Sequence, residues 1–158
     1  MLKGIGITVG IFILGIIRWT VLGGISGTVS YENKPEINIY ELEKKIYQLT
    51  NEERFGNLQK LAFDPKLSDI ARQHSQDMVN RNYFEHNNPE GEGPTERGLE
   101  VGYRCYKDFG SYYTEGLAEN IYQNNLYDSY TTLNGVKSSY DWNTMNEIAE
   151  STVQGWID

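Results

Sequence analysis

The sequence predicts a mixed α+β domain behind an apolar N-terminal segment, and three observations carry this. Three amphipathic helical patterns each begin at a capping residue: Asn38, Asp64 and Thr144. One short apolar run at residues 117–122 is too brief for a helix and reads as a strand. The first 25 residues are compositionally separate from everything that follows.

The N-terminal segment comes first. Residues 4–17 carry no charge and are dominated by Ile, Val, Leu, Phe and Gly, with Lys3 before them and Arg18 and Trp19 after. Counted to Ile25, the run exceeds the roughly 20 residues a membrane span needs. Arg18 would then snorkel to a headgroup, with Trp19 at the interface. The expectation is a transmembrane signal anchor over residues 1–25. A cleaved signal peptide is the alternative, with Leu22-Gly-Gly24 as a poor cleavage site. Either puts residues 26–158 outside the cytoplasm: at the cell membrane as a single-pass protein, or secreted. Residues 26–36 read as a polar linker, and the domain occupies 37–158.

The first helix starts at Asn38, with Glu41 three residues on to close a capping box. Ile39, Leu42, Ile46 and Leu49 form its apolar face, and Gly56-Asn57 stops it. Glu43-Lys-Lys45 reads as a solvated face. Asp64-Pro65 opens the second helix, an N-cap followed by proline at the first helical position. Leu67, Ile70, Ala71, His74 and Met78 share one stripe, ending near Asn82. His74 reads there as a core imidazole bonded to backbone, away from any acidic cluster. Residues 87–103 are a loop broken by Gly and Pro, with one helical turn at 95–99. Residues 124–142, rich in Asn, Ser, Thr and Tyr, show no regular pattern. Thr144 and Glu147 form a second capping box, and Met145, Ile148, Ala149, Thr152 and Trp156 continue a third helical face. The first two helices are expected to cover each other. The third, following a long polar tract, is expected to pack loosely.

Composition narrows function. The net charge is -8 and the pI about 4.8, so no nucleic-acid partner is expected: phosphate contact needs clustered Lys and Arg. Cys105 is the only cysteine, so no internal disulfide can form. Eight of the twelve tyrosines lie between Tyr103 and Tyr140. They either anchor long loops or offer flat faces to a sugar.

Chemistry concentrates in two motifs, Asn80-Arg-Asn-Tyr-Phe-Glu-His-Asn-Asn-Pro89 and Ala118-Glu-Asn-Ile121. The first sets His86 just beyond a helix end, and the second sets Glu119 in an apolar run. An imidazole and a carboxylate can share a proton, bind a divalent cation such as zinc, or orient each other. His86 and Glu119 are therefore the candidate catalytic and metal-ligating residues. Two ligands alone leave an incomplete metal site, and a structural hydrogen bond is the competing reading. The pair is expected within direct or one-water reach.

These motifs, with Leu49-Thr-Asn-Glu-Glu-Arg54, Leu61, Asp64-Pro-Lys-Leu67, His74-Ser-Gln-Asp-Met78, Pro94-Thr-Glu-Arg97, Gly102-Tyr103 and Gly155-Trp156, resemble the CAP superfamily. That superfamily comprises cysteine-rich secretory proteins, antigen 5 and pathogenesis-related proteins, which share the SCP domain. The resemblance is to its microbial branch. It implies an α-β-α sandwich with a small antiparallel sheet, and a cavity bearing two histidines and two acidic residues. His86 matches the first histidine and Glu119 the first glutamate. The second acidic position and second histidine have no counterpart, and the last strands are absent. The resemblance thus implies a C-terminally truncated, incomplete domain in which the Glu119 strand lacks partners, and a tract at 123–142 that looks inserted. Together with the anchor expected from residues 1–25, it implies a membrane-anchored, extracytoplasmic module binding a lipid, sterol or glycan, or acting in surface interactions. The alternative is a metal-dependent hydrolase or protease whose His-Glu site is completed by residues absent from this chain.

Overall fold

The computed structural model describes residues 9–11, 34–56 and 58–157. In chain order these form β1 (Val9–Ile11), α1 (Ile39–Glu53), α2 (Pro65–Arg81), α3 (Pro94–Glu100), β2 (Tyr106–Asp108), β3 (Tyr113–Glu115), β4 (Ala118–Asn120), β5 (Tyr127–Leu133), β6 (Val136–Trp142) and α4 (Met145–Ile157).

The helix starts follow their caps. The Asn38 side chain accepts the Glu41 amide at 3.2 Å. Asp64 accepts the amides of Lys66 and Leu67 at 2.9 and 3.3 Å. At α4 the box is reciprocal: Thr144 Oγ1 accepts the Glu147 amide at 3.3 Å, and Glu147 accepts the Thr144 amide at 2.7 Å. α2 ends on Asn82 in the left-handed conformation (φ 57°), a role asparagine fills at modest cost. α3 extends the expected helical turn by one residue at each end.

The core corrects the expected helix pairing. α1 packs on α4, and Leu42 and Ile46 meet Ile148, Ala149 and Val153 in one buried cluster edged by Leu49, Met145 and Trp156. The physical reason is the match of apolar faces: α4 carries a buried stripe that complements α1. α2 instead turns Leu67, Ile70, Ala71, His74 and Met78 inward, and it contacts β1 and α3. Arg72 of α2 reaches α1 through a two-point bond to Glu43 at 2.9 and 2.7 Å. Glu43 is therefore buried, not on the solvated face that the sequence suggests. The loop between α1 and α2 is fastened at Leu61: its carbonyl accepts from Tyr47 Oη (2.8 Å) and Asn51 Nδ2 (3.2 Å), and its amide donates to Asn51 Oδ1 (2.7 Å).

The sheet also differs from expectation. β4 pairs in parallel with β1, Gly10 standing opposite Glu119. Among the described residues the fold is mixed α+β, as expected, with small antiparallel sheets β2–β3 and β5–β6 beside the parallel pair β1–β4. β1 touches both α1 and α2, and β4 touches α3, so this pair sits between helices. Without a partner the β4 backbone groups would be unpaired, and β1 supplies one. Parallel pairing follows from the long connection through three helices. Val9–Ile11 are thus a strand where the sequence suggested a transmembrane helix, and the rest of that segment lies outside the described residues. No described helix is long and apolar enough to cross a membrane.

Residues 124–142 are ordered, contrary to expectation. β5 and β6 form an antiparallel hairpin closed by Asn134-Gly135, both with positive φ (52° and 77°), as a tight two-residue turn requires. Cross-strand rings bind it: Tyr127 of β5 meets Trp142 and Tyr140 of β6 edge-on at 5.9 and 5.0 Å.

Candidate functional site: a buried carboxylate between two histidines and an arginine

Glu119 comes from β4, with only 1 % of its side chain exposed. A carboxylate this deep requires donors and a counter-charge. The chain supplies both, from His86 and Arg97, 33 and 22 residues before it.

His86 arrives on the strap that follows α2. The Tyr83 amide donates to the Met78 carbonyl at 3.1 Å, and Tyr83 Oη donates to Asp77 at 2.5 Å. These bonds fold residues 83–86 back along the helix. Asn88 then builds a turn, accepting the amides of Glu90 and Glu92 at 3.1 and 2.8 Å. The result brings His86 Nδ1 to 2.8 Å from Glu119 Oε1, as the sequence predicts. Nδ1–H donates to the carboxylate. The imidazole is 55 % exposed, so the pair spans from core to solvent.

Two further residues complete the site. His74 of α2 is buried, with Nε2 3.0 Å from the Glu85 carbonyl and 4.0 Å from Glu119 Oε1. A carbonyl only accepts, so Nε2 carries the proton. The nitrogen nearest Glu119 is thereby committed to backbone. His74 is the core imidazole expected from sequence, but it borders Glu119 instead of standing apart from acidic groups. Arg97, 10 % exposed on α3, bonds Glu119 Oε2 through Nη2. Its Nη1 donates to the carbonyls of His86 (2.8 Å) and Glu92 (2.9 Å). Arg97 was not singled out as functional from sequence, though it lies within Pro94-Thr-Glu-Arg97. Gly98 of α3 lies against Leu117, the residue before β4: a Cβ there would stand 2.8 Å from Leu117 Cδ1.

Burial and the neighbouring Arg97 charge push the His74 imidazole below its ordinary 6.5, against smaller opposing pulls from Glu119, the Glu85 carbonyl and Asp77. The folded protein therefore refuses a proton that the unfolded chain accepts. This contribution is full above about pH 6.5 and declines as pH falls from there toward the folded value. Urea midpoints should drop between pH 7 and 5, and His74→Gln should flatten that slope. An equal slope in both proteins would remove His74 as its source.

Asp64 shows a different balance. Burial raises its carboxyl, but bonds from Tyr103 Oη (2.7 Å) and the Leu67 and Lys66 amides outweigh this and hold it below the usual carboxylate range. The bond ties Gly102-Tyr103 to the start of α2, a structural role for that motif.

The residues do not fit a divalent cation. Both Glu119 oxygens are engaged, one by a permanent cation, and His74 presents a protonated nitrogen. No group of three or more His, Cys, Asp or Glu among the described residues is placed to hold a metal ion.

The sequence model of the CAP group, the cysteine-rich secretory protein family, matches residues 47–158. This chain belongs to the CAP family. Every residue of the Glu119 cluster lies within the match. The uncharacterized protein YkwD of Bacillus subtilis (strain 168) is 43% identical over 81 residues, 50% of this chain and 28% of YkwD. The chain thus spans just over a quarter of that relative's length. No solved structure matches the chain. The single cysteine, Cys105, is a free thiol, so this CAP domain coheres by packing and polar clusters.

Proposed function

We propose that this chain is an extracytoplasmic CAP module, held at the membrane by residues 4–25, that binds a glycan and carries out no hydrolysis. The observation that supports ligand binding is a pocket of about 410 Å³ on the β2–β3 hairpin. Tyr106, Tyr112 and Tyr113 stand exposed around it. Arg104, Asp108 and Glu115 line the same hollow, with Arg104 Nε 3.3 Å from Glu115. Flat aromatic faces edged by charged hydrogen-bonding groups suit a sugar, which pairs C–H faces with a rim of hydroxyls. A hydrolase reading needs Glu119 free to polarise water or hold a metal, and here that carboxylate is bound to Arg97.

Titration with chitin-derived and peptidoglycan-derived oligosaccharides tests this, with lipid and sterol dispersions alongside. Each tyrosine ring should contribute about 1 kcal/mol, so Tyr112→Ala and Tyr113→Ala should each weaken glycan binding about fivefold. Binding of lipid or sterol only, unchanged in both variants, would refute the glycan reading. Anchoring rests on the apolar composition of residues 4–25, and pairing of Val9–Ile11 with β4 is a competing use of the same residues. Alkaline carbonate washing of membranes should leave the protein in the pellet. Release into the wash would favour the strand over the span.

A further inference from the structure

We propose that Arg97 is the resident cation of this CAP site, doing for Glu119 what a divalent ion would otherwise do, so that the site stays closed to metal while Arg97 is in place. The inference does not depend on the glycan reading.

Four observations carry it. Glu119 is buried and needs a positive partner. Arg97 supplies one that no ordinary pH removes, because a guanidinium stays protonated. The guanidinium is also fixed: Nη1 grips the His86 and Glu92 carbonyls while Nη2 holds Oε2. It therefore clamps the strap bearing His86 to the strand bearing Glu119, a role a bridging metal could also serve. Finally, Gly98 of α3 lies against Leu117, the residue before β4, and the Gly93 amide donates to Glu96 at 3.0 Å to start the helix. Arg97 is thus delivered from a helix seated against the chain that leads into β4. A divalent ion on Glu119 would face this fixed charge at close range.

Zinc titration of the full chain, followed by the NMR signals of the His86 imidazole, is the test. Wild-type protein should bind zinc weakly, with the same affinity in His86→Gln by calorimetry. Arg97→Met should bind at least tenfold more tightly than wild type, and adding His86→Gln should abolish the gain. Arg97→Lys, which keeps the charge, should stay at the wild-type level. Should Arg97→Met fail to fold, the wild-type and His86→Gln comparison decides alone, because His86 is exposed and its replacement is tolerable. Tight wild-type binding that collapses in His86→Gln would overturn the proposal. So would folded Arg97→Met with no gain.

Discussion

Replacing Glu119 with glutamine is expected to remove about 3–5 kcal/mol of stability, because it leaves a buried guanidinium without its counter-charge. The change preserves shape, so packing hardly enters. Arg97 already has one buried nitrogen, Nε, without a hydrogen-bond partner among the described residues, and the loss of Oε2 would add a second poorly satisfied donor. His86→Gln should behave differently. The imidazole is half exposed, and a single hydrogen bond of this kind contributes about 0.5–1.5 kcal/mol. Urea unfolding of both variants checks the ordering. A larger loss for His86→Gln than for Glu119→Gln would place the weight of the cluster on the imidazole instead.

Ile46→Ala is expected to cost about 2–5 kcal/mol, the range for truncating a large aliphatic side chain in a packed core. Ile46 is fully buried at the seam where α1 meets α4. Its neighbours Ile148, Ala149 and Val153 belong to the last helix, so amide protection in α4 should fall with that in α1. Hydrogen exchange of the variant reads this directly. Protection lost in α1 but kept in α4 would show that the two helices do not share one core.

The helices were legible because their signals are local. Asn38, Asp64 and Thr144 mark starts, and the 3.6-residue stripes show which faces are buried. The His86–Glu119 contact was legible only through motif resemblance, since nothing in the spacing of 33 residues dictates it. Other features depend on long-range geometry. The pairing of α1 with α4 joins segments about a hundred residues apart, and amphipathic stripes do not name their partners. Glu43 looked solvated because its partner, Arg72, lies on another helix. Arg97 was given no role of its own from sequence, because its partner Glu119 lies 22 residues away on another element. One miss was avoidable: Asn134-Gly135 between runs rich in Thr and Tyr is a strong hairpin signal. The polar alternation of β5 and β6 concealed it, because an exposed two-stranded ribbon buries too little to show an apolar face. β1 was concealed by the opposite effect, as an apolar run suits a span and a buried strand equally.

The central claim is that Arg97 and Glu119 act as one charge-neutral unit that fastens the His86 strap to β4. A double-mutant cycle with Arg97→Met and Glu119→Gln, read by urea unfolding, tests it most directly. Each single change leaves one buried charge exposed to its unfavourable surroundings, whereas the double variant leaves none. The double variant should therefore be more stable than the sum of the single losses predicts, by about 1.5–3 kcal/mol. Additivity within about 0.5 kcal/mol, the behaviour of independent sites, would contradict the account.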